Sequence, residues 1–333
     1  MIKSKIFLIL IFVLISSFLI YGCSQQRTET KQDASTAVTK TRVSLLDIEI
    51  KERNGQKYIV DPDKIETVLP RDAIPSILEP KFVKSEQEDF IDDEEYVLGV
   101  FVNEEAKAYP IKILNYHEIV NDNIGGIPVI ATYCPLCGTG LSFIREVDGK
   151  LYTFGVSGKL YNSDLVMYDH QTNTYWTQAL GLGIVGHLTK IKLVPILTDT
   201  IKWKDWKVKH PDTLILSTDT GFIRDYKRDP YSGYDQSSKI WFPVDIEDNR
   251  LFSKARVYGI SVNNESKAYP KDILKEKKML EDKVGGEQIM AKMEDDGTVR
   301  FFTKKGDKQD QIIADYLYWF AWVNFHPDTG LYS

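Results

Sequence analysis

Cysteine is scarce in this sequence of 333 residues, which contains only three. Cys23 lies at the end of an N-terminal apolar segment, so Cys134 and Cys137 are the two that remain once that segment has been processed. Any thiol chemistry in the mature protein is therefore confined to the run Tyr133–Gly138, which reads Tyr-Cys-Pro-Leu-Cys-Gly. Thiol chemistry elsewhere in the chain is excluded.

Runs of basic residues are also lacking. The formal net charge is −6, charges of both signs are interspersed, and no stretch interleaves basic with aromatic side chains. Nucleic acid is therefore not expected as a partner, because its recognition needs concentrated positive charge. Aromatic residues are plentiful in contrast. The eighteen tyrosines and six tryptophans favour strands and a partly aromatic cleft, although an aromatic core explains them as well.

The N-terminal apolar segment is too short for a membrane span. Ile6–Ile20 follows two lysines, is interrupted only by two serines, and leads to a glycine directly before Cys23. A span needs about 20 residues, whereas this pattern is typical of a lipoprotein signal. We therefore predict removal of residues 1–22, a lipid on Cys23 that anchors the protein to a membrane, and an extracytoplasmic location in the cell envelope. The alternative is an ordinary signal peptide with an incidental cysteine.

The chain repeats itself. Residues 97–110 are echoed by residues 257–270, and both segments end in Ala-Tyr-Pro. Trp206–Thr213 is echoed by Trp322–Thr329, and both end in His-Pro-Asp-Thr. Chance seldom gives such similarity over such a stretch. The sequence therefore predicts two related tandem units, of which the second is shorter.

The predicted domains follow from the signal, the composition and the repeat. Residues 23–43 have almost nothing to bury and are expected to form a flexible tether. The rest divides into an N-terminal unit that carries the Cys-Pro-Leu-Cys run, an aromatic connecting loop and a degenerate C-terminal repeat, at residues 44–220, 221–256 and 257–333.

Local patterns predict an α+β fold, mostly antiparallel β with short helices. Each copy opens with alternating residues around an Asn-Glu or Asn-Asn turn, which indicates a β-hairpin. In the first copy a short helix follows, with apolar and histidine positions at helical spacing: Ile113, Leu114, His117 and Val120. A Gly-Gly pair then leads into a strand, Pro128–Tyr133 in one copy and Gln288–Met293 in the other.

The first copy is longer, and we assign its excess to two blocks, residues 134–145 and approximately 157–190. The second copy indicates that the scaffold folds without them. Segments that a scaffold does not need for folding are where function is expected to have been added.

The two cysteines lack the setting of a thioredoxin-type motif, which opens a helix whose dipole activates the first thiol. Here Gly138-Thr139-Gly140 and a predicted strand follow instead. A tight turn between two strands aims both sulfurs at one cation, so the run is typical of a metal knuckle. His117, which is replaced by lysine in the second copy, is the predicted third ligand. His170 is a predicted fourth ligand, and His187 is a weaker one.

The identity of the chemistry stays open between several interpretations. A site with Cys134, Cys137 and a histidine is typical of open zinc centres and also suits copper as Cu(I). Glu118 would then act as a carboxylate base beside a metal-bound water, which makes it a catalytic candidate together with the cysteines. A structural metal site, thiol exchange with a redox partner, and a disulfide are the alternatives.

A polar and aromatic wall is predicted to face the cysteine hairpin and to contact a cofactor or small molecule. It is drawn from the second extra block: Asn162, Ser163, Asp164, Asp169, Trp176 and Gln178. Turn residues of this kind also satisfy their own backbone, which is the alternative explanation. The aromatic segment Gly221–Tyr234 is expected to cover the same cleft.

In combination these motifs resemble the bacterial and archaeal family called domain of unknown function 3179. The resemblance extends from about Leu69 to the C-terminus. It rests on Ala108-Tyr109-Pro110, on the closing Trp and His-Pro-Asp-Thr segments and on four others: His117–Asp122, Tyr133–Gly138, Phe154–Gly158 and Asn162–Asp169.

The resemblance implies exported or lipid-anchored proteins and no established activity. The chain departs from the family pattern at His170, where arginine is common, and at His187, where proline is common. His117, Cys134 and Cys137 are therefore the preferred ligands. The leading hypothesis is a lipid-anchored envelope protein with a thiol-containing metal or redox site. The alternative is a non-catalytic binding module with a structural disulfide and a ligand in its aromatic cleft.

Overall fold

The structure is a computed structural model that describes residues 49–306 and 308–333. The predictions for the signal at 1–22, the tether at 23–43 and the lipid on Cys23 lie outside these residues. Within the described part of the chain, no helix is both long enough and apolar enough to cross a membrane.

Short strands dominate the described residues, and the helices are brief. The helices are α1 (Ile111–His117), α2 (Trp203–Lys209), α3 (Lys271–Lys277) and α4 (Trp319–Phe325). The strands of the first half up to the cysteine hairpin are β1 (Lys51–Arg53), β2 (Gln56–Tyr58), β3 (Glu66–Thr67), β4 (Phe82–Lys84), β5 (Tyr96–Val102), β6 (Glu105–Pro110), β7 (Ile119–Ile124), β8 (Ile127–Cys134) and β9 (Thr139–Ile144). They are followed by β10 (Glu146–Val147), β11 (Lys150–Leu151), β12 (Phe154–Tyr161), β13 (Asp164–Asp169), β14 (Tyr175–Thr177), β15 (Leu182–Val185), β16 (Val194–Ile196), β17 (Thr198–Lys202) and β18 (Leu214–Leu216). The second half contains β19 (Arg256–Val262), β20 (Glu265–Pro270), β21 (Met279–Val284), β22 (Glu287–Met293), β23 (Val299–Lys305), β24 (Lys308–Ile312), β25 (Asp315–Tyr318) and β26 (Gly330–Leu331).

Among the described residues the two halves share their strand orders, except that β4 of the first half has no counterpart in the second. The first half has one sheet with the order β17-β5-β6-β18-β4 and another with the order β16-β9-β8-β7. The second half has β25-β19-β20-β26 and β24-β23-β22-β21. In the first half β6 pairs with β18 in parallel, and in the second half β20 pairs with β26 in parallel. The other pairings in these sheets are antiparallel. The predicted α+β class, mostly antiparallel with short helices, is confirmed.

The repeated Trp and His-Pro-Asp-Thr positions have a structural reason. Trp206 in α2 donates its Nε1–H to Thr213 Oγ1 at 2.8 Å and packs on Gly99 of β5, where a Cβ would overlap the ring. The same contacts recur in the second half at Trp322, Thr329 and Gly259. The motif therefore fastens a short helix to the face of its sheet.

The first half differs from the second by one insertion and not by the two predicted blocks. Cys134 pairs with Thr139 across the β8–β9 hairpin, and Met293 pairs with Val299 across the β22–β23 hairpin. The cysteine hairpin thus has a counterpart in the second half, and the interpretation of residues 134–145 as an addition is wrong. The insertion comprises β10 to β15, since β9 and β16 are sheet neighbours in the same way as β23 and β24.

The insertion forms a seven-stranded sheet with the N-terminal strands, in the order β1-β2-β15-β14-β13-β12-β3. Strands β12 and β13 are joined by Asn162 and Ser163, whose φ angles are 52° and 63°. Two central residues with positive φ define a type I′ turn, which matches the twist of a hairpin. This turn lies beside the cysteine hairpin.

The cysteine hairpin lies where the first half, the insertion and the second half meet. Cys134, Cys137 and Leu136 belong to one hydrophobic core with Trp176 of the insertion and with Trp319 and Phe320 of the second half. The Tyr318 N–H also donates to the Cys137 carbonyl oxygen at 2.9 Å. All three parts of the chain therefore hold the hairpin in place.

Candidate metal centre

Cys134 and Cys137 occupy the tip of the β8–β9 hairpin, and both thiols are buried and free. Gly138 closes the turn with a φ of 61°. Glycine is required there, because a Cβ would overlap the side chains of Arg256 and Tyr318 in addition to straining the backbone. The turn is thus shaped by close packing against the second half.

The β12–β13 turn brings a carbonyl group to both thiols. The Ser163 carbonyl oxygen lies 3.4 Å from Cys137 Sγ and 3.9 Å from Cys134 Sγ. Asp164 follows directly as the first residue of β13. The turn therefore places Asp164 beside the two sulfurs.

Asp164 supplies a carboxylate to this place. A carboxylate oxygen and both Sγ atoms lie within 4.8 Å of one another, and all three side chains are buried. Oδ2 accepts hydrogen bonds from Thr177 Oγ1 at 2.9 Å and from the Ala179 N–H at 3.0 Å. Oδ1 is buried without a hydrogen-bond partner among the described residues. A buried carboxylate oxygen without a hydrogen bond destabilises the folded state, and a bound cation would stabilise it.

Glu118 adds a further acidic group. It follows α1 with a φ of 57°, and its carbonyl oxygen accepts from the Tyr133 N–H at 2.8 Å, next to Cys134. Its side chain is 7% exposed. Burial, with a smaller contribution from the charge of Asp164, raises the pKa of Glu118 to about 8.

The acidic groups of the site favour their neutral forms. Burial raises the pKa of Asp164 to about 6, although hydrogen bonds from Ala179 and Thr177 oppose the rise. Burial also raises the pKa of Cys134. It raises the pKa of Cys137 well above the ordinary value, with further contributions from the neighbouring Cys134 thiol and then from Asp164. In the part of the chain described, no cationic side chain is among the principal influences on these pKa values. A bound cation would reverse the balance by stabilising the charged forms.

His117, the predicted third ligand, does not lie with this group of ligand atoms. Its Nδ1–H donates to the Pro75 carbonyl at 2.8 Å, and its Nε2 accepts from the Tyr226 hydroxyl at 2.7 Å. Burial lowers the pKa of His117, which favours the neutral ring that these two bonds require. Both nitrogens are engaged by the protein, and Asp164 is the third group beside the cysteines.

His170 and His187 lie on the surface. His170 follows the end of β13, whereas Asp164 begins that strand, so about 20 Å of extended chain separates the histidine from the thiols. Its Nδ1 lies 2.9 Å from Thr153 Oγ1 instead. His187 is exposed in the loop after β15. The structure therefore brings neither histidine to the cysteines.

The predicted wall divides into two parts. Asn162, Ser163 and Asp164 lie at the turn beside the thiols, and the Asn162 side chain accepts a hydrogen bond from the Asp245 N–H at 2.9 Å. Asp169 lies at the other end of β13 and holds Trp176, whose Nε1–H it accepts at 3.0 Å. Asp169 therefore stabilises the insertion away from the thiols, whereas Trp176 belongs to the hydrophobic core that contains both cysteines.

Buried polar atoms without partners gather near the hairpin. Gln178 donates from Nε2 to Thr132 Oγ1 at 3.0 Å but leaves its Oε1 without a partner in the described chain. Thr139 Oγ1 and Ser163 Oγ likewise have none there. Native proteins contain few such groups, so a cluster of them indicates a place where a bound species completes the hydrogen bonding.

A cleft of about 500 Å³ adjoins the hairpin. Tyr133 and Pro135, the neighbours of Cys134, contribute to its lining, as do Tyr231 and Tyr234 of the connecting loop. Between β18 and β19 this loop forms turns without a helix or strand, over residues that are all described. Tyr231 and Tyr234 are therefore the aromatic residues of the connecting loop that line the cleft.

Sequence reasoning missed several residues around the site. The sequence places Asp164 in the wall that contacts a small molecule and does not predict it as a metal ligand. Its position directly after a two-residue turn was a usable signal. Arg256 and Tyr318, which pack on the cysteine turn, gave no signal, because their contact joins strands of the second half to a turn of the first.

Comparison with known proteins gives a family and no described activity. No curated protein and no solved structure matches the chain. One family model, described as a protein of unknown function, matches residues 71–329. This range agrees with the resemblance found from the motifs and covers most of the chain. The chain therefore belongs to the family of proteins of unknown function designated DUF3179.

Proposed function

We propose that this protein is a metalloprotein of the cell envelope in which Cys134, Cys137 and Asp164 bind one zinc ion, with Glu118 as the proton-transferring group beside it. The observation that supports this best is the presence of two thiols and a carboxylate oxygen within 4.8 Å of one another in a buried site. Three protein ligands with a fourth position left for water or substrate are typical of catalytic zinc centres, whereas structural centres use four.

Burial argues for coordination and against thiol exchange. A nucleophilic thiolate needs a lowered pKa and access to solvent. Burial raises the pKa of both thiols, and neither side chain is exposed. A divalent cation stabilises thiolates and carboxylates and displaces their protons, so metal binding is compatible with the same surroundings.

Asp164 favours zinc over copper. Thiolate sulfur suits both Zn²⁺ and Cu(I), but a carboxylate oxygen is a harder donor that Zn²⁺ accepts readily and the soft Cu(I) does not. Glu118 is the proton-transferring candidate because its charge interacts with those of Asp164 and Cys134 and its pKa, raised by burial to about 8, lies near neutrality.

The proposal includes the membrane anchor and the duplication. The Gly-Cys23 motif supports lipid anchoring, with the metal site on the extracytoplasmic side. The shared strand orders support a tandem duplication. A repeated contact supports it as well, since Tyr109 donates to Asp122 at 2.7 Å and the corresponding Tyr269 donates to Asp282 at 2.8 Å.

Zinc content and free thiols of the purified protein test the metal site. We expect stoichiometric zinc in the parent and a strong loss in each of Cys134→Ser, Cys137→Ser and Asp164→Asn, because an incomplete ligand set binds zinc weakly. Glu294→Ser is the matched control for Cys134→Ser. Glu294 directly follows β22, the strand that corresponds to β8, and Cys134 is the last residue of β8. This control should keep its zinc.

Two outcomes would contradict the proposal. A metal-free parent with no free thiols would support the binding module with a disulfide. Full zinc content in a folded Asp164→Asn variant would remove the carboxylate from the ligand set.

A further inference from the structure

The cleft beside the cysteine hairpin is rich in tyrosines of both halves and of the connecting loop, and its lining also contains the carboxylates Glu95, Asp229 and Asp235. Six tyrosines line it: Tyr96, Tyr133, Tyr231, Tyr234, Tyr316 and Tyr318. Tyrosine presents a flat apolar ring and a hydroxyl group with little loss of conformational entropy on binding. At about 500 Å³ the cleft has the size of a small-molecule site.

Two cations in this cleft have only uncharged partners. Arg256 packs over the rings of Tyr316 and Tyr318, at 5.2 and 4.1 Å from their centroids, and donates to the Gly138 carbonyl and to the Tyr318 hydroxyl. Lys271 lies on the same Tyr316, 5.2 Å from the ring centroid, and donates to its hydroxyl at 2.9 Å. Within the described ranges, neither forms an ion pair with a carboxylate.

The cation at Arg256 is specific to the second half. Arg256 pairs with Tyr318 across β19 and β25, and the corresponding pair in the first half is Tyr96 with Lys202 across β5 and β17. Arg256 therefore takes the position of Tyr96, which also lines the cleft. Lys202 takes the position of Tyr318, lies outside the cleft lining and is bound by Glu94 at 2.7 Å.

The guanidinium retains donors for a ligand. An arginine carries five N–H groups, and the hydrogen bonds of Arg256 to Gly138, Tyr318 and Tyr133 use three of them, which leaves two. Its planar array matches the oxygen pair of a carboxylate or phosphate. The other lysine of the lining, Lys112, is already paired with Glu95 at 2.7 Å, so it does not compete for the same group.

We propose that this cleft binds a small organic anion, with its oxyanion group at Arg256 and Lys271 and a flat ring among the tyrosines. The site is assembled from both halves, and it is independent of whether zinc occupies the neighbouring cysteine site. Carboxylate and phosphate share the required chemistry, and the experiment distinguishes them.

Isothermal titration calorimetry with three probes of similar shape tests the proposal. We expect benzoate or phenyl phosphate to bind with a Kd of about 1 mM or tighter, given the affinity that a ligand of this size can reach. Benzyl alcohol, which has the ring without the charge, should bind at least tenfold more weakly. The stronger of the two anions identifies the preferred oxyanion.

Variants assign the binding to the two cations. Arg256→Ala and Lys271→Ala should each weaken anion binding at least tenfold. Lys202→Ala removes a cation of the first half that does not line the cleft, and it should leave anion binding unchanged. Because Arg256 also supports the cysteine turn, thermal unfolding of each variant is measured first, and Lys271→Ala keeps the test valid if Arg256→Ala does not fold.

Three results would overturn the proposal. The first is equal binding of benzyl alcohol and benzoate. The second is no binding of either anion at about 10 mM, a concentration at which even a weak small-ligand site is mostly filled. The third is unchanged anion binding in folded Lys271→Ala and Arg256→Ala variants.

Discussion

Asp164 and His117 illustrate how the surroundings of a side chain decide whether it is available to a metal. Asp164 has one oxygen held by Thr177 and Ala179 and the other without a partner among the described residues. His117 has both ring nitrogens bound. Whether an atom is free to bind a metal therefore distinguishes Asp164 from His117 more clearly than the residue type does.

Replacement of His117 tests this distinction. We expect His117→Gln to lower the free energy of unfolding by about 1–3 kcal/mol, because a buried donor and acceptor lose their partner, and to leave the zinc content unchanged. Thermal unfolding and metal analysis of the same preparation measure both effects. Loss of zinc from a folded His117→Gln protein would return the histidine to the ligand set.

The buried carboxyl groups make the stability of the metal-free protein depend on pH. Burial raises the pKa of Asp164 to about 6, that of Asp315 to about 7 and that of Glu118 to about 8. In the unfolded chain these groups titrate near pH 4. Between about pH 4 and pH 8 these three groups therefore bind more protons in the folded protein than in the unfolded chain, and their contribution to the free energy of unfolding falls as the pH rises through this interval. Histidines whose pKa is lowered by burial, such as His326 at about 3, oppose this fall only below about pH 6.5.

Scanning calorimetry of the chelated protein checks the sign of this dependence. We expect a lower melting temperature at pH 8 than at pH 5.5, and a weaker dependence when zinc is bound, because the ion holds its ligands in the charged form. Asp315→Asn is the control that should reduce the slope without changing zinc content. A melting temperature that rises steadily from pH 5.5 to pH 8 in the metal-free protein would rule out this assignment.

The cysteines were predictable from their motif, but the third ligand was not. His117 was predicted because the second copy has Lys277 at that position, so that the histidine disappears together with the thiols. The structure gives this loss another cause. Pro75 and Tyr226, the partners of the histidine, come from the segment before β4 and from the connecting loop, and no sequence pattern links them to α1.

Among the elements, hairpins were predicted better than helix ends. The predicted strand Pro128–Tyr133 agrees with β8 to within a residue at each end. The helix was predicted to continue to Val120, yet α1 ends at His117 because Glu118 takes a positive φ and the chain enters β7. Strand β7 is buried on both faces for most of its length, so its apolar residues continue the helical spacing by coincidence.

The seven-stranded sheet could not be predicted. Three of its strands are β1, β2 and β3. β2 and β3 lie about a hundred residues before their partners β15 and β12 in the insertion, and β1 pairs with β2. Each has only two or three residues, mostly exposed. Such short polar strands carry no periodic signal, and their pairing depends on the edge that the insertion presents.

The contact between a tryptophan and a strand glycine in each half is open to a direct test. We expect Gly99→Ala and Gly259→Ala each to lower the free energy of unfolding by about 1–3 kcal/mol, because an added methyl group overpacks the indole. Chemical denaturation measures the change. Gly330→Ala is the control, since its Cβ would meet the flexible Lys267 side chain at 3.3 Å and the Ser266 carbonyl oxygen at an ordinary contact distance of 3.7 Å. Equal stability of all three variants would show that the indoles move aside.

For the chain as a whole, the main prediction concerns its attachment to a membrane. The motif around Cys23 predicts that the native protein fractionates with membranes and that Cys23→Ser leaves an uncleaved precursor or a released protein, because the lipid acceptor is lost. Fractionation followed by immunoblotting measures both forms. A cleaved Cys23→Ser protein that stays on the membrane would contradict lipid anchoring.

The bonds that the second half makes to the cysteine turn bear on how this protein can evolve. The Tyr318 N–H and the Arg256 side chain donate to the carbonyl groups of Cys137 and Gly138. The half without cysteines thus satisfies the backbone of the half that has them, so its deletion would leave two carbonyl groups of the turn without these donors. Selection for the thiols therefore preserves a half that holds none of them, and descendants are expected to keep both halves or neither.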